Sequence, residues 1–151
     1  MNTRGKFIVV EGADGVGSTT QAKLLVDALL SCRKPATYTA EPTSEKIGSF
    51  TRGLLRTGNN YPEQVLALLF AADRLDHYSN HIEPLLSSGI TVVSDRYTLS
   101  SFAYQTLCGT PIEWLQKVNQ FAPAADHTFL ITLPFEEAWD RIKSRLASGK
   151  A

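Results

Sequence analysis

Gly12-Ala13-Asp14-Gly15-Val16-Gly17-Ser18-Thr19 is the stretch of this sequence best suited to hold an anion. Its glycines let consecutive main-chain N–H groups curl inward around a phosphate. The spacing is that of G-x-x-x-x-G-K-[ST], the loop that cradles nucleotide phosphates and whose last hydroxyl binds Mg²⁺. Thr19 supplies that hydroxyl, and Thr20 follows it. Ser18 stands where the pattern has lysine. The amide cradle is therefore kept, and the ammonium that reaches the β- and γ-phosphates is not. A turn rich in glycine for steric reasons alone is the alternative, and the flanking elements and later clusters weigh against it.

Other groups of residues suit the same chemistry. Asp95 can orient Mg²⁺ through water or hold a nucleotide hydroxyl. Arg96 beside it carries a planar, permanent charge that suits phosphate oxygens and can bridge an acceptor and a donor phosphate. A simple Asp95–Arg96 pair at a loop is the plainer reading. Phe70 and Arg74 are four apart, so on a helix they share a face. The ring can stack on a flat base while the guanidinium donates to an exocyclic oxygen. The competing reading buries Phe70 in the core and pairs Arg74 with Asp73 or Asp76 on the surface. Tyr97, Ser101 and Tyr104 recur at one helical face. Arg96 and the basic segment Arg141, Lys143, Arg145 and Lys150 are the candidates to replace the missing ammonium, and Arg141 and Arg145 share one helix face. The alternative for them is a solvated helix end, where the macrodipole favours cations.

These residues need elements to place them. Phe7-Ile8-Val9-Val10 reads as a buried strand, and a helix follows over residues 21–30 with Leu24, Leu25, Ala28 and Leu29 on one face. A short strand is expected over 36–40, closed by Glu41-Pro42-Thr43. Thr43 or Ser44 can cap a helix to about Arg56, and Thr57-Gly58-Asn59-Asn60 stops it. Pro62 opens a long helix through Leu86 that bends before Pro84. Ile90-Thr91-Val92-Val93 is a third strand with Asp95-Arg96-Tyr97 at its carboxyl end, and helices follow over about 97–104 and 109–121. A fourth strand spans 126–133, and Pro134 starts a last helix that fades at Ser148-Gly149. Alternating strands and helices specify an α/β fold with a parallel sheet covered on both faces. Ligands bind at the carboxyl ends of such strands, where three of the polar clusters fall.

The bulk composition narrows the function. The chain's 151 residues suffice for one domain, 1–151, with a real core, and 43% hydrophobic and 20% charged residues are globular values. A formal net charge of zero supplies no field for nucleic acid or a membrane surface. Cys32 and Cys108 form no C-x-x-C motif, which fits a reduced, cytoplasmic setting. Neither a signal peptide nor a membrane-length apolar run is visible.

Glu11-Gly12-Ala13-Asp14-Gly15, Glu41-Pro42, Leu69-Phe70-Ala71-Ala72-Asp73-Arg74 and Asp95-Arg96-Tyr97 with Ser100-Ser101-Phe102-Ala103-Tyr104-Gln105 together resemble the thymidylate kinase family. Order and spacing match from about Lys6 to the last helix. The resemblance implies a P-loop NTPase-type three-layer α/β/α fold, five-stranded in the family and about four-stranded in this chain. It implies transfer of the ATP γ-phosphate to thymidine monophosphate with Mg²⁺, in a homodimer. By resemblance, Gly12 to Thr20 hold ATP, and Thr19 and Asp95 serve the metal. Phe70 stacks on thymine, Arg74 bonds it, and Ser101 contacts the base edge. Tyr104 packs under the deoxyribose, with Tyr97 and Gln105 nearby. Asp14, Asp95, Arg96, Arg141 and Arg145 are the expected catalytic side chains. Three departures stand out: Ser18 for lysine, serine at 101 where relatives often carry Asn or Thr, and Ala40 where many have arginine. The resemblance ends inside the family's lid, so the sequence reads as a fragment or as one whose remainder is not represented. A deoxynucleoside kinase is a rival, although that family usually shows Glu-Arg-Ser in place of Asp95-Arg96-Tyr97. A nucleotide-binding relative impaired in transfer, favoured by Ser18, is the other.

Overall fold

The computed structural model describes residues 4–57 and 61–148. Residues 58–60 of the expected turn and Lys150 of the basic segment lie outside the described residues. The strands β1 (Phe7–Gly12), β2 (Ala36–Ala40), β3 (Thr91–Asp95) and β4 (His127–Ile131) form one sheet. Its order is β2-β3-β1-β4 and every pairing is parallel. The helices are α1 (Ser18–Ser31), α2 (Lys46–Arg56), α3 (Glu63–His77), α4 (Glu83–Ser87), α5 (Thr98–Leu107), α6 (Ile112–Val118) and α7 (Phe135–Ala147).

Successive side chains of a strand point to opposite faces, so the apolar run of β1 serves two cores. Phe7 and Val9 pack with Val92, Ile82, Leu86 and Tyr97 on one side. Ile8 and Val10 pack with Val93 and with Ala22 and Val26 of α1 on the other. The result is the three-layer α/β/α arrangement expected, with β1 buried at its centre.

Several local expectations are corrected. α1 starts at Ser18 rather than Gln21 because the loop glycines end where the helix begins. Its buried stripe is Ala22 and Val26, while Leu24 is 53% exposed. Neither Thr43 nor Ser44 caps α2, which begins after Glu45. The Thr43 N–H and hydroxyl are committed instead to the Asp73 carboxylate, at 2.7 and 2.6 Å. The long helix is α3, a π-helical turn over Tyr78–Ile82, then α4. Pro84 has no N–H to give the preceding turn, and the wider hydrogen-bond register lies immediately before it.

β4 is shorter than expected because Asp126 has another task. Its carboxylate accepts the Phe7 N–H at 2.7 Å and the Lys6 ammonium at 3.3 Å, pinning the entry of β4 to the start of β1. The Phe7 N–H, then Lys6 and Arg4, hold the Asp126 carboxyl below its ordinary range, against partial desolvation. A carboxylate whose folded-state pKa is depressed stabilises above its unfolded value and loses that contribution as pH falls through the folded value. Asp126→Ala is therefore expected to cost about 1 kcal/mol at neutral pH. The gap from wild type should close as urea melts are repeated toward about pH 2.

Candidate active site

β1 delivers the chain into the glycine loop, and α1 leaves it with its N-terminal amides aimed back at the loop. That placement makes an anion site from main-chain groups and the helix dipole alone. Gly15 and Gly17 sit at φ of +83° and +95°, where a side chain would be strained. A Cβ on Gly15 would also lie 2.5 Å from the Ala138 carbonyl oxygen, so α7 packs directly on the loop. This docking carries Arg141 to the site, where its Nη1 donates to the Val16 carbonyl at 3.5 Å.

A cavity of about 270 Å³ opens at this point. Ala13, Asp14, Gly15, Gly17, Ser18, Thr19 and Thr20 line it, joined by Arg96, Arg141 and Arg145. Gly12 ends β1 and Val16 is buried, so these two shape the loop rather than face the cavity. Three arginines thus surround a loop that lacks its lysine.

The Thr19 hydroxyl donates to Asp95 Oδ2. The Tyr38 hydroxyl donates to the same oxygen at 3.4 Å. Asp95 Oδ1 is buried and has no hydrogen-bond partner. A buried, unpartnered carboxylate oxygen beside a hydroxyl is a donor set that suits a hard cation. Among the described residues no group of three His, Cys, Asp or Glu side chains gathers around a metal position.

Arg96 follows β3 at φ +73°, in the left-handed region where a non-glycine residue is held under strain. The Val10 carbonyl accepts its N–H at 2.9 Å, and Ser94 Oγ donates to its carbonyl at 2.9 Å. Its guanidinium reaches Asp14 at 2.5 Å, Ser100 Oγ at 3.2 Å and the Tyr104 hydroxyl at 3.4 Å, and lies over the Tyr104 ring. Burial works against its charge, but Tyr104, Asp14 and Asp95 outweigh burial and hold it above its ordinary range.

A second cavity, of about 350 Å³, adjoins the first. Phe70, Leu66 and Leu55 form one wall, and Ser101, Tyr104 and Gln105 form the other. Gln105 is 4% exposed and its Oε1 has no partner. Asp14 and Arg96 line both cavities. An apolar slot with polar groups on one wall therefore meets the glycine-loop cavity at Asp14 and Arg96.

Two expected contacts are placed elsewhere. Tyr97 does not share a pocket face with Ser101 and Tyr104. It is extended, at φ −162°, and precedes α5, so helical spacing does not apply to it. Its ring is buried, edge-on to Phe7 at 5.1 Å, and its hydroxyl donates to the Pro123 carbonyl at 3.0 Å. Arg74 is 2% exposed and lies behind the pocket wall. It pairs with neither Asp73 nor Asp76. Its Nε donates to Glu41 at 2.8 Å, Nη1 to Asn119, and Nη2 to the Tyr97 carbonyl and Ser101 Oγ, both at 3.0 Å. Arg74 therefore holds Ser101 in place from behind.

Three further residues support the site: Glu11 and Glu41, which the sequence offers as motif members without a side-chain role, and Asn119, which it does not single out. Glu11 is buried at the end of β1, where Oε1 accepts the Tyr97 N–H at 2.9 Å and Oε2 the Ser100 hydroxyl at 2.6 Å. A carboxylate at a helix N-terminus is stabilised by the free amides there, and this one fixes the start of α5 and with it the Arg96 turn. An acidic residue closing an apolar strand was the available signal, since a buried charge demands partners. Asn119 gave none, because it meets Arg74 only through the packing of α6 on α3.

Comparison with known proteins agrees with this geometry. A family model described as thymidylate kinase matches residues 10–150. A probable thymidylate kinase of Thermococcus kodakarensis is 43% identical over 147 residues, covering 92% of this chain and 72% of that protein. One from Pyrococcus horikoshii is 44% identical over 147 residues, covering 94% and 72%. The crystal structure of thymidylate kinase from Ehrlichia chaffeensis superposes with a TM-score of 0.80 at 28% identity, covering 96% of this chain and 86% of that one. A family model over nearly the whole chain, relatives above 40% identity and a shared fold agree, and the chain belongs to the thymidylate kinase family.

Proposed function

We propose that this protein transfers the γ-phosphate of ATP to dTMP, giving dTDP for dTTP synthesis. The observation that carries the reading is the pair Asp14 and Arg96, which line both the phosphate-loop cavity and the apolar slot. A group passing between two bound nucleotides crosses that shared wall. Main-chain amides from Ala13 to Thr20 grip the ATP phosphates. Phe70 stacks on the acceptor base, while Ser101 and Gln105 face its polar edge. Tyr104 supports the sugar. Arg96 spans the acceptor phosphate and the transferring group, and Asp14 holds the guanidinium in that position.

Thr19 and Asp95 would hold Mg²⁺, which when bound neutralises charge on the β- and γ-phosphate oxygens. Arg141 and Arg145 close the loop from the α7 side and supply the cation that Ser18 does not. The same reading includes a homodimer working in the cytoplasm. Exposed apolar side chains on α2 and α3, among them Phe50, Leu55 and Leu68, leave surface for a second copy. Among the described residues no helix is long and apolar enough to cross a membrane.

The test is a coupled phosphotransfer assay with Mg-ATP and a panel of acceptors. dTMP should turn over at least about tenfold faster than dCMP, dGMP and dAMP, because a misfit base leaves buried polar groups unpaired. Equal turnover of all bases would remove the pocket assignment. Preference for thymidine over its monophosphate would transfer the protein to the deoxynucleoside kinases.

A further inference from the structure

We propose that Tyr38 is the positioning residue that readies Asp95 for a divalent cation, a role that rests on the Mg²⁺ reading of Thr19 and Asp95. Tyr38 lies on β2, away from the sequence motifs of the phosphate loop. The register between β2 and β3 opposes Tyr38 to Val93 and Ala40 to Asp95. Asp95 lies two residues beyond Val93, so it shares the sheet face on which Val93 packs against α1. Tyr38 packs against that same core. The side chains of Tyr38, Asp95 and Thr19 at the start of α1 therefore converge from three different elements.

Their bonding is asymmetric. Asp95 Oδ2 accepts hydroxyl protons from both Thr19 and Tyr38, whereas Oδ1 accepts none and is buried. Saturating one carboxylate oxygen fixes the plane of the group and leaves the other as the open acceptor. The Lys23 ammonium sits 5.2 Å above the ring centre, away from the hydroxyl that meets Asp95. Partners that orient a metal ligand typically contribute 10–100-fold to metal affinity. At 3.4 Å the Tyr38 bond belongs at the lower end of that range.

The experiment compares ADP binding by calorimetry in EDTA and in Mn²⁺, using the full chain. The ratio of the two affinities is the gain contributed by the metal. Tyr38→Phe keeps the ring and its packing but removes the hydroxyl. It should cut the metal-dependent gain about tenfold while ADP affinity in EDTA stays at the wild-type value. Lys23→Met, which leaves the hydroxyl, should change neither. Tyr38→Phe with an unchanged gain, or with equal weakening in EDTA and Mn²⁺, overturns the proposal, as does a Lys23→Met variant showing the same selective loss. Asp95→Asn tests the underlying assignment separately and should abolish the gain. If Asp95→Asn retains it, or wild type shows none, the Mg²⁺ reading itself is wrong and the role of Tyr38 falls with it.

Discussion

Arg96→Ala is expected to lower kcat by about 10³-fold or more, with a much smaller rise in KM for dTMP. The magnitude follows from arginines that neutralise charge during phosphoryl transfer, which contribute roughly 10³–10⁵ to rate. A residue that only bound the acceptor would instead raise KM and spare kcat. Arg96 is placed for the first behaviour. It borders both cavities and is held by Asp14, Ser100 and Tyr104. Arg96 also carries a strained φ of +73°, and strain of about 1–3 kcal/mol persists only where the surroundings impose it. Arg96→Lys should recover little of the loss, since an ammonium cannot reproduce the guanidinium fork. Steady-state kinetics with dTMP calorimetry on the same variants separates the two effects. Wild-type kcat in Arg96→Ala would make the residue a structural one.

Arg141→Ala is expected to lower kcat by roughly 10²-fold or more, the usual cost of removing one preorganised donor from a developing anion. Position 18 carries serine where the phosphate loop ordinarily has lysine, and a phosphoryl-transfer site depends on cations around the moving group. Arg141 reaches the loop because α7 packs on Gly15, and its Nη1 would be only 3.7 Å from a Cβ on Gly17. Ser18→Lys in the Arg141→Ala background should therefore restore at least about tenfold of the loss. In wild type the same substitution should change kcat little. Restoration only in the variant is the signature of two residues serving one function. A rise of about 10³-fold from Ser18→Lys in wild type would show that no cation has replaced the lysine.

The chemistry of this site was legible in the sequence where neighbours along the chain make it. The loop from Gly12 to Thr20 is such a case, because strand, glycines and helix are contiguous and the amides they orient are their own. The four strands were legible because each is a short run of strand-forming residues bounded by turn residues, although only β1 is nearly continuous in apolar residues. Periodicity misled where its premise failed. Tyr97 fits the spacing of Ser101 and Tyr104 but stands one residue ahead of the helix, so its ring turned into the core.

Chain identity alone determined that this protein would be a parallel α/β fold with a glycine loop between its first strand and helix, and that it would resemble one kinase family. The tertiary structure alone decided which charged side chains face the two cavities and which support their wall. Arg74 and Arg96 are the same residue type at two motif positions, yet Arg74 is enclosed by Glu41, Asn119, Tyr97 and Ser101, while Arg96 stands between two cavities. The physical reason is that a buried charge must be met by partners, and those partners come from elements far apart in sequence. Glu11 at α5, Tyr38 at Asp95 and Arg141 at the loop are set by packing, a property of the folded chain rather than of any local stretch.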